Sequence, residues 1–492
     1  MAVLSGLEPG AVFHYFEEIC GIPHGSGNTG EISRYCVEWA KERGFKVRQD
    51  KRGNVVIWKP GTPGFEESEP VMIQGHLDMV CEREEDCEFD FEKQGLELMV
   101  KDKIISANGT TLGGDDGIAV AYALALLESK ESPHPPLEVV LTVDEEIGML
   151  GADYLDCSDL QSKRMLNLDS EEEGYLLVSC AGGVSVTAGI PIHTVSKKGY
   201  TAVLTISGLQ GGHSGVEIDK GRGNACQLLG RTLYKLKQKI TFGIIRADGG
   251  LKDNAIPREA KAELLLASAE DLTLLHREIE RLEHIFRHEF RNTDGAVRIL
   301  CESYDSDIKK EDLTLKERDV WDSDSEKRVI TALYCFPGGV QAMSPDIENL
   351  VRTSLNLGIM ATEEKQIVFT FSVRSSVESE KEELVERLRC LIEFVGGTIS
   401  LTGDYPAWEY QNHSPLRDIM VEKYEELYGE KPVVQAIHAG VECGLFAGKI
   451  PGLDCVSFGP DMKDIHTPKE SMDVDSVTRT WDYLLAVLRA LK

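Results

Sequence analysis

Three acidic residues follow apolar runs in the stretch 139–170, which reads VVLTVDEEIGMLGADYLDCSDLQSKRMLNLDS. Glu145 and Glu146 come just after the first run, and Asp169 comes just after the second. An acid that follows a β-strand projects from the carboxyl edge of a sheet, where α/β enzymes build their sites. Carboxylates grouped at such an edge can bind divalent metal ions, and one that stays free can act as a general base.

Three other stretches carry residues suited to the same chemistry. Upstream, VMIQGHLDMV contains His76 and Asp78, and the glycine-rich turn TTLGGDDGIA contains Asp115 and Asp116. Downstream, DMKDIHTPKE contains His466. We therefore predict that these stretches meet the acids of 139–170 around a pair of metal ions.

The residue types fit a hydrolytic site with two zinc ions. Such a site needs imidazole and carboxylate ligands, one carboxylate shared by both ions, and a free acid that takes a proton from water. His76 can bind metal, while Asp78, two residues on, can hold the other imidazole N–H and fix its tautomer. One of Glu145 and Glu146 can bind metal while its neighbour serves as the base. The residues alone do not decide between the two glutamates.

Each of these features also has an ordinary structural explanation when it is taken alone. Acids at a helix N-terminus are common caps, and paired glutamates after a strand are often part of a solvated loop. The interpretation rests on their conjunction. Five such features occur in order, each after an apolar run or in a glycine-rich turn.

The elements that would position these residues form an α/β pattern. Two helices are predicted in 8–44 and a hairpin in 45–60, followed by strands that alternate with a helix and the acidic loops, which favours a largely parallel sheet. Near residue 182 the pattern changes to alternating β-rich runs with helices at 223–238, 270–290 and 378–395. The last 80 or so residues return to the α/β pattern. We predict an α/β domain formed by 1–184 and 403–492 and split by an α+β insertion, 185–402.

Composition narrows the class of protein. The 492 residues carry a formal net charge of -30, which disfavours nucleic acid and anionic membrane as partners because phosphates would be repelled. Twelve cysteines without a CxxC pair indicate free thiols. The N-terminal residues lack the features of a signal peptide, and no run of about 18 apolar residues occurs. We expect a cytoplasmic enzyme.

The motifs together resemble a known family. The order GHLDMV, TTLGGDDGIA, DEEIGMLGA, NLDSEEEG, GGHSG and SFGPDMKDIHTPKE is similar to the carboxypeptidase G2-like clan of co-catalytic zinc peptidases (family M20). Within that clan it is more similar to the cytosolic dipeptidases, which include the aminoacyl-histidine dipeptidases. The resemblance covers nearly the whole chain, and it implies the zinc-peptidase catalytic domain with an inserted lid domain.

The resemblance implies roles for the acidic residues and histidines. It implies two zinc ions, for which cobalt or manganese can substitute. One ion would be bound by His76 and Asp169 and the other by Glu146 and His466, with Asp115 shared. Glu145 would then be the general acid/base, and Asp78 would orient His76.

The resemblance also assigns residues of the inserted block 185–402, which would be a lid or dimerisation domain. His213, in GGHSG, would polarise the scissile carbonyl, a task suited to a neutral or a protonated imidazole. Asn254, in DNAIPRE, and Arg374, in FSVRSS, would bind the terminal carboxylate of the substrate. His438, in HAGVECG, is expected to line the pocket with Glu442.

The implied activity is hydrolysis of dipeptides, Xaa-His and a broader range, by water activated by two zinc ions with a glutamate base. Alternatives in the same clan are a tripeptidase, a carboxypeptidase and an N-acyl amino acid deacylase. An alternative of another class is a non-catalytic binding protein on this fold. The expected partner is a small peptide substrate, with a homodimer through the lid left open.

Overall fold

The computed structural model describes residues 3–130, 132–302 and 315–492. The chain divides into two compact units. The first consists of Met1–Cys180, Trp408–Ala436 and Val441–Lys492, and the second consists of Ala181–Ala407 and Ile437–Gly440. The predicted division into 1–184, 185–402 and 403–492, with the middle part as a lid, stays a prediction.

A mixed eight-stranded sheet forms the framework of the first unit. In spatial order its strands are β1 (Lys46–Gln49), β2 (Val55–Lys59), β6 (Leu137–Thr142), β3 (Val71–His76), β7 (Arg164–Asn167), β22 (Asp454–Ser457), β8 (Tyr175–Cys180) and β21 (Val433–Ile437). Strands β6, β3, β7 and β22 run parallel, whereas the pairs β1–β2, β2–β6 and β22–β8 are antiparallel. The predicted α/β class is confirmed, with the parallel pairing concentrated at the centre of the sheet.

The central strands are apolar along their whole length because both faces of the sheet are covered. Every residue of β3 and of β6 is buried, as expected for parallel strands between helices. The helices of this unit are α1 (Gly10–Cys20), α2 (Gly30–Glu42), α3 (Gly114–Glu128), α4 (Leu150–Tyr154), α9 (Pro415–Tyr428), α10 (Glu442–Lys449) and α11 (Val474–Ala490). A smaller sheet contains β23 (Met462–Lys463), β24 (Ser471–Asp473), β5 (Ile104–Ala107) and β4 (Leu98–Lys101), in that order.

Helix α3 is the most deeply buried helix of the first unit, since all of its residues but the last are inaccessible. Its regular part begins only at Gly117, because Asp115 and Asp116 have non-helical backbone angles. The helix lies directly against β3 at Gly75. A Cβ atom at Gly75 would lie 2.6 Å from the side chain of Ala119 and 2.6 Å from Oδ2 of Asp116. This close approach brings the start of α3 beside the end of β3.

The second unit contains a ten-stranded sheet whose described pairings are antiparallel. Its main path is β15 (Arg298–Cys301), β10 (Thr194–Ser207), β14 (Ala260–Leu266), β12 (Phe242–Gly249), β18 (Val351–Thr362), β19 (Gln366–Ser375), β9 (Gly182–Pro191) and β20 (Thr398–Tyr405), with β16 (Lys316–Trp321) on β10 and β17 (Gly339–Met343) on β18. A separate short pair consists of β11 (Gly212–His213) and β13 (Ala255–Ile256).

Four α-helices accompany this sheet within the described part of the second unit: α5 (Ala225–Lys237), α6 (Ala269–Glu289), α7 (Ser323–Cys335) and α8 (Glu378–Phe394). Three of them coincide closely with the helices predicted from apolar periodicity. Their apolar faces and the strands enclose one continuous hydrophobic core. Among the described residues of the whole chain, no helix combines the length and the apolar character needed to cross a membrane.

We expect Gly75→Ala to lower the free energy of unfolding by about 1–3 kcal/mol, because the added methyl group overpacks the contact between β3 and α3. Urea denaturation in EDTA would measure this without a contribution from metal binding. Gly30→Ala is the control, since a Cβ atom there meets nothing within 4 Å and Gly30 is helical. Equal denaturation midpoints for Gly75→Ala and Gly30→Ala would contradict the proposed close packing.

Candidate functional site

The predicted metal ligands of the first unit lie at the carboxyl edge of its parallel strands. His76 is the last residue of β3, and Thr142 and Asn167 are the last residues of β6 and β7. Glu145, Glu146 and Asp169 therefore follow their strands by two to four residues. Because parallel strands end at the same edge, residues far apart in sequence are delivered to one place.

The carboxylate of Asp115 lies between two imidazoles. Its Oδ1 atom is 3.1 Å from Nε2 of His76, and its Oδ2 atom is 3.2 Å from Nε2 of His466. Each carboxylate oxygen thus faces a different histidine. This is the arrangement expected of a carboxylate shared by two metal ions.

Two further carboxylates approach the same imidazoles. Oδ1 of Asp169 is 3.7 Å from Nε2 of His76, and Oε1 of Glu146 is 2.9 Å from Nε2 of His466. Oε1 of Glu146 is nevertheless buried and has no hydrogen-bond partner among the described residues. Two ligands of one cation would show such a short contact without hydrogen-bond geometry, because the lone pair of each ligand atom points at the ion and not at the other ligand.

Asp78 is joined to the paired glutamates through their main chain. Its Oδ1 atom accepts the N–H of Glu145 at 2.9 Å, and its Oδ2 atom accepts the N–H of Glu146 at 3.3 Å and the hydroxyl of Ser26 at 2.8 Å. Nδ1 of His76 is 2.9 Å from the main-chain carbonyl of Asp78 and 3.5 Å from its carboxylate. The nearer partner of the imidazole is therefore the carbonyl, and the carboxylate mainly fixes the glutamate loop.

Asp116, the second acid of the GGDDG turn, has a different environment from Asp115. Its Oδ2 atom accepts the main-chain N–H of His76 at 3.0 Å, and its Oδ1 atom is buried without a partner among the described residues. Two sets of potential ligand atoms lie within 4.8 Å of one another: His76, Asp115 and Glu146, and His76, Asp116 and Asp169. Of the two aspartates, only Asp115 contacts both imidazoles, which favours it as the shared ligand.

The pKa shifts indicate an excess of negative charge at this place. Burial, together with the charges of Asp115 and Glu146, raises the pKa of Asp169 to about 7. The adjacent carboxylates of Asp115 and Glu146 raise the pKa of His466 to about 10. Burial also raises the pKa of Glu145 well above its ordinary value, with Asp169 adding to the effect. Buried carboxylates in such number require positive charge nearby.

The geometry and the charge both fit a pair of divalent cations. Two atoms bound to one tetrahedral zinc ion lie roughly 3.3 Å apart, given metal–ligand distances of about 2.0–2.2 Å. The four nitrogen–oxygen distances described above lie between 2.9 and 3.7 Å. Two dications would also offset much of the charge of the six carboxyl groups gathered here: Asp78, Asp115, Asp116, Glu145, Glu146 and Asp169.

Buried polar side chains near the ends of the central strands form a hydrogen-bonded layer. The side chain of Gln74 on β3 accepts a hydrogen bond from the amide of Asn167 on β7. It donates one to the carboxylate of Glu442, the first residue of α10. The hydroxyl of Thr142 on β6 also donates to Glu442, at 2.6 Å. Gln74 shares a face of its strand with His76 because side chains alternate along a strand. The layer links the three central strands beneath the predicted ligands.

Glu442 therefore does not lie in the pocket-lining environment that was expected from the sequence. It is fully buried, and burial raises its pKa to about 8. In the first unit it contacts strand residues, which is not the environment of a residue that lines a substrate pocket. The expectation that Glu442 lines a pocket is not supported.

The substrate-binding candidates belong to the second unit, where three of them influence one another. The guanidinium of Arg374 donates to the Tyr405 hydroxyl at 3.0 Å. Burial is the main cause that lowers the pKa of His213 and of His438, and the charge of Arg374 is the second cause. For His438 the two effects lower the pKa to about 3, and its Nε2 atom is 2.7 Å from the hydroxyl of Ser354. His438 is thus a buried neutral imidazole.

Asn254 is exposed and is connected to the His213 segment through its main chain. Its carbonyl accepts the N–H of Ser214 at 2.9 Å, next to the pairing of β11 with β13. Nδ1 of His213 accepts the N–H groups of Gly215 and Val216, both at 3.2 Å. An imidazole that accepts at Nδ1 carries its proton on Nε2, so His213 presents an N–H donor while it is neutral.

Several contacts of the site could not be predicted from the sequence. Ser26 contacts Asp78 across 52 positions, and Glu442 contacts Gln74 across 368. Glu470 accepts main-chain N–H groups of the GGDDG turn. The sequence offers a signal for two of them, since Glu442 lies near His438 and Glu470 is an acid four residues after His466.

The chain is similar to known proteins over most of its length. The family model described as "Peptidase family M20/M25/M40" matches residues 72–490. The "Cytosol non-specific dipeptidase" of Escherichia coli (strain K12) is 37% identical over 493 residues, which covers 100% of this chain and 99% of the relative.

Two solved structures extend the comparison. The aminoacylhistidine dipeptidase from Vibrio alginolyticus is 38% identical with a TM-score of 0.90, over 99% of this chain and 98% of that one. The aminopeptidase PepT from Bacillus cereus, at 16% identity and a TM-score of 0.57 over 99% of both chains, shares the fold. With a family model that matches most of its length, and a relative aligned from end to end, this chain belongs to peptidase family M20/M25/M40.

Proposed function

We propose that this protein is a metal-dependent dipeptidase that hydrolyses Xaa-His and a broader range of dipeptides. The observation that carries the proposal is the cluster of two imidazoles and several buried carboxyl groups with Asp115 at its centre, in a chain of the M20/M25/M40 peptidases. The full-length similarity to proteins named as dipeptidases supports the substrate class. We also propose that it acts in the cytoplasm, in keeping with its twelve free thiols and with the name of its relative, the cytosol non-specific dipeptidase of Escherichia coli.

Two divalent metal ions, zinc in our proposal, would be bound by this cluster. His76 and Asp169 would bind one ion, and Glu146 and His466 would bind the other, with Asp115 shared. The nitrogen–oxygen distances of 2.9–3.7 Å support these pairings. When bound, such ions polarise the peptide carbonyl and lower the pKa of water.

The residues of the chain then have separate tasks. When the oxygen of water attacks the peptide carbon, Glu145 takes the proton that the water loses. Glu145 then gives that proton to the leaving amine as the C–N bond breaks. The contact of Glu146 with His466 supports Glu146 as the ligand and leaves Glu145 as the free acid. Asp78 holds the loop of both glutamates by accepting their N–H groups.

We assign substrate recognition to the second unit. His213, neutral and protonated at Nε2, would donate to the developing oxyanion, whereas Arg374 and Asn254 would bind the carboxylate of the substrate. The acceptance of two N–H groups at Nδ1 supports the donor role of His213. His438 would support Arg374 as a buried neutral neighbour. The lid role of 185–402 and a homodimer through it stay predictions.

Chelation should abolish activity, and added zinc, cobalt or manganese should restore it, because these metals accept mixed imidazole and carboxylate ligands. The measurement is release of free amino acids from a panel of Xaa-His and other dipeptides, tripeptides and N-acetyl amino acids. We expect dipeptides to be cleaved fastest. Full activity of exhaustively demetallated protein would exclude the metal mechanism, and preference for another substrate would point to a tripeptidase, carboxypeptidase or deacylase. A metal-loaded protein that cleaves none of them would indicate a non-catalytic binding protein.

Glu145→Gln should reduce kcat by on the order of 10²-fold or more while both metal ions stay bound, since the change keeps size and removes basicity. Glu146→Gln is the matched comparison at the neighbouring position. It should lose metal, because it removes a predicted ligand. Metal content and kcat of both variants decide the assignment, and the opposite pattern would exchange the roles of the two glutamates.

His213→Ala should lower kcat by roughly 10²- to 10³-fold with little change in KM, as expected when one oxyanion donor is removed. Arg374→Ala should act mainly on KM, because the substrate carboxylate is present in the ground state as well as in the transition state. Steady-state kinetics at verified metal content measures both effects. A wild-type kcat in His213→Ala would rule out a catalytic role for this residue.

A further inference from the structure

The carboxylate of Glu470 is enclosed by four main-chain N–H groups at the start of α3. Its Oε2 atom accepts from Leu112 at 2.7 Å and Gly113 at 3.1 Å. Its Oε1 atom accepts from Gly114 at 2.8 Å and Asp115 at 3.3 Å. Consecutive N–H groups that converge in this way form an anion-binding nest, strengthened by the helix N-terminus behind it.

The two glycines of the turn make this enclosure sterically accessible. Gly113 has φ 66°, in the left-handed region, and a Cβ atom there would lie 2.8 Å from Sδ of Met79. A Cβ atom on Gly114 would lie 3.2 Å from Oε1 of Glu470 and 3.0 Å from Sδ of Met462. The last N–H of the nest belongs to Asp115, so the nest fixes the backbone from which the shared carboxylate projects.

Glu470 also ends the turn that presents His466. This turn connects β23 to β24, and within it Asp464 and His466 have φ of 53° and 61°. Left-handed conformations of residues other than glycine persist when surrounding contacts enforce them. The turn has internal hydrogen bonds around Thr467, whose carbonyl accepts the N–H of Glu470 at 3.0 Å. Besides the contact of His466 with Asp115, the carboxylate of Glu470 attaches this turn to the start of α3.

We propose that Glu470 is a positioning residue that holds the His466 turn and the Asp115 turn in one arrangement by placing its carboxylate in the nest at the start of α3. The role differs from that of a ligand, since both oxygens of Glu470 are occupied by N–H donors. It rests on the proposed function, because it assumes that Asp115 and His466 bind metal. Without this carboxylate, the two turns lose their common anchor, and Oδ2 of Asp115 and Nε2 of His466 no longer have a fixed separation.

Glu470→Gln is the primary variant, because an amide offers one acceptor oxygen and an NH2 group that faces donors, leaving at least two N–H groups unsatisfied. Glu138→Gln is the matched control. Glu138 is equally buried in the same unit and accepts the N–H groups of Gln161 and Ser162, but it lies on β6 away from the predicted ligands. Both variants lose a buried carboxylate with main-chain partners, so general destabilisation should be similar.

The probe is Co2+, titrated into the demetallated full-length protein, with dissociation constants and the visible absorption spectrum as readouts. We expect Glu470→Gln to weaken cobalt binding by about 10- to 100-fold, the range found for residues that orient ligands, and to alter the spectrum. Glu138→Gln should bind cobalt as the wild type does. Wild-type binding and spectrum in Glu470→Gln, or an equal loss in Glu138→Gln, would overturn the proposal.

Two further variants keep the outcome interpretable. If Glu470→Gln does not fold, Gly114→Ala tests the same nest, since its methyl group displaces Glu470, and unaltered cobalt binding in this variant would overturn the positioning role. Asp115→Asn tests the proposed function separately. Normal cobalt binding in Asp115→Asn would refute the assigned metal site itself. Loss in Asp115→Asn with normal binding in Glu470→Gln would refute the positioning role alone.

Discussion

The candidate site depends on a buried carboxylate, Asp115, that faces one imidazole with each of its oxygens. A group in this position is costly to bury, and its ionised form persists because hydrogen bonds from His466 and His76 hold its pKa well below the ordinary value despite burial. For Asp169 the charge of His76 does not outweigh burial, and its pKa rises to about 7 mainly because of burial. The site is therefore a concentration of negative charge that bound cations would relieve.

The fold meets this electrostatic demand through parallel strands and a supporting polar layer. Strand ends bring the acids together, and the amide, hydroxyl and carboxyl groups of Gln74, Asn167, Thr142 and Glu442 connect the strands below them. Partners of this kind restrict the directions in which ligands can point, which matters because metal geometry tolerates only small displacements. Among the predicted ligands, His76 ends a strand and Glu146 and Asp169 follow strands closely, whereas Asp115 and His466 come from turns.

The sequence was most informative where chemistry and local pattern coincide. Glu145, Glu146 and Asp169 follow apolar strands, and His76 ends one, so their convergence could be predicted from periodicity and the geometry of parallel sheets. The contacts of Ser26 and Glu470 could not, because they span 52 and more than 350 positions and depend on how loops fold back. For Glu442 the sequence indicated proximity to functional residues but not burial, since a charged residue beside glycines is usually exposed. The main-chain contacts of His213, which determine its tautomer, likewise could not be predicted from the sequence.

The parallel pairing of β7 with β22 joins residues 164–167 to residues 454–457. During synthesis on the ribosome, the second unit, nearly all of which is one continuous stretch, emerges before the first unit has its full set of strands. Domains generally fold as units, and pairings between distant segments form slowly. The central sheet of the first unit therefore stays unfinished until residues 454–457 have been synthesised. Its last predicted ligand, His466, is translated 297 residues after Asp169, so the predicted metal site is completed only after the second unit has been synthesised.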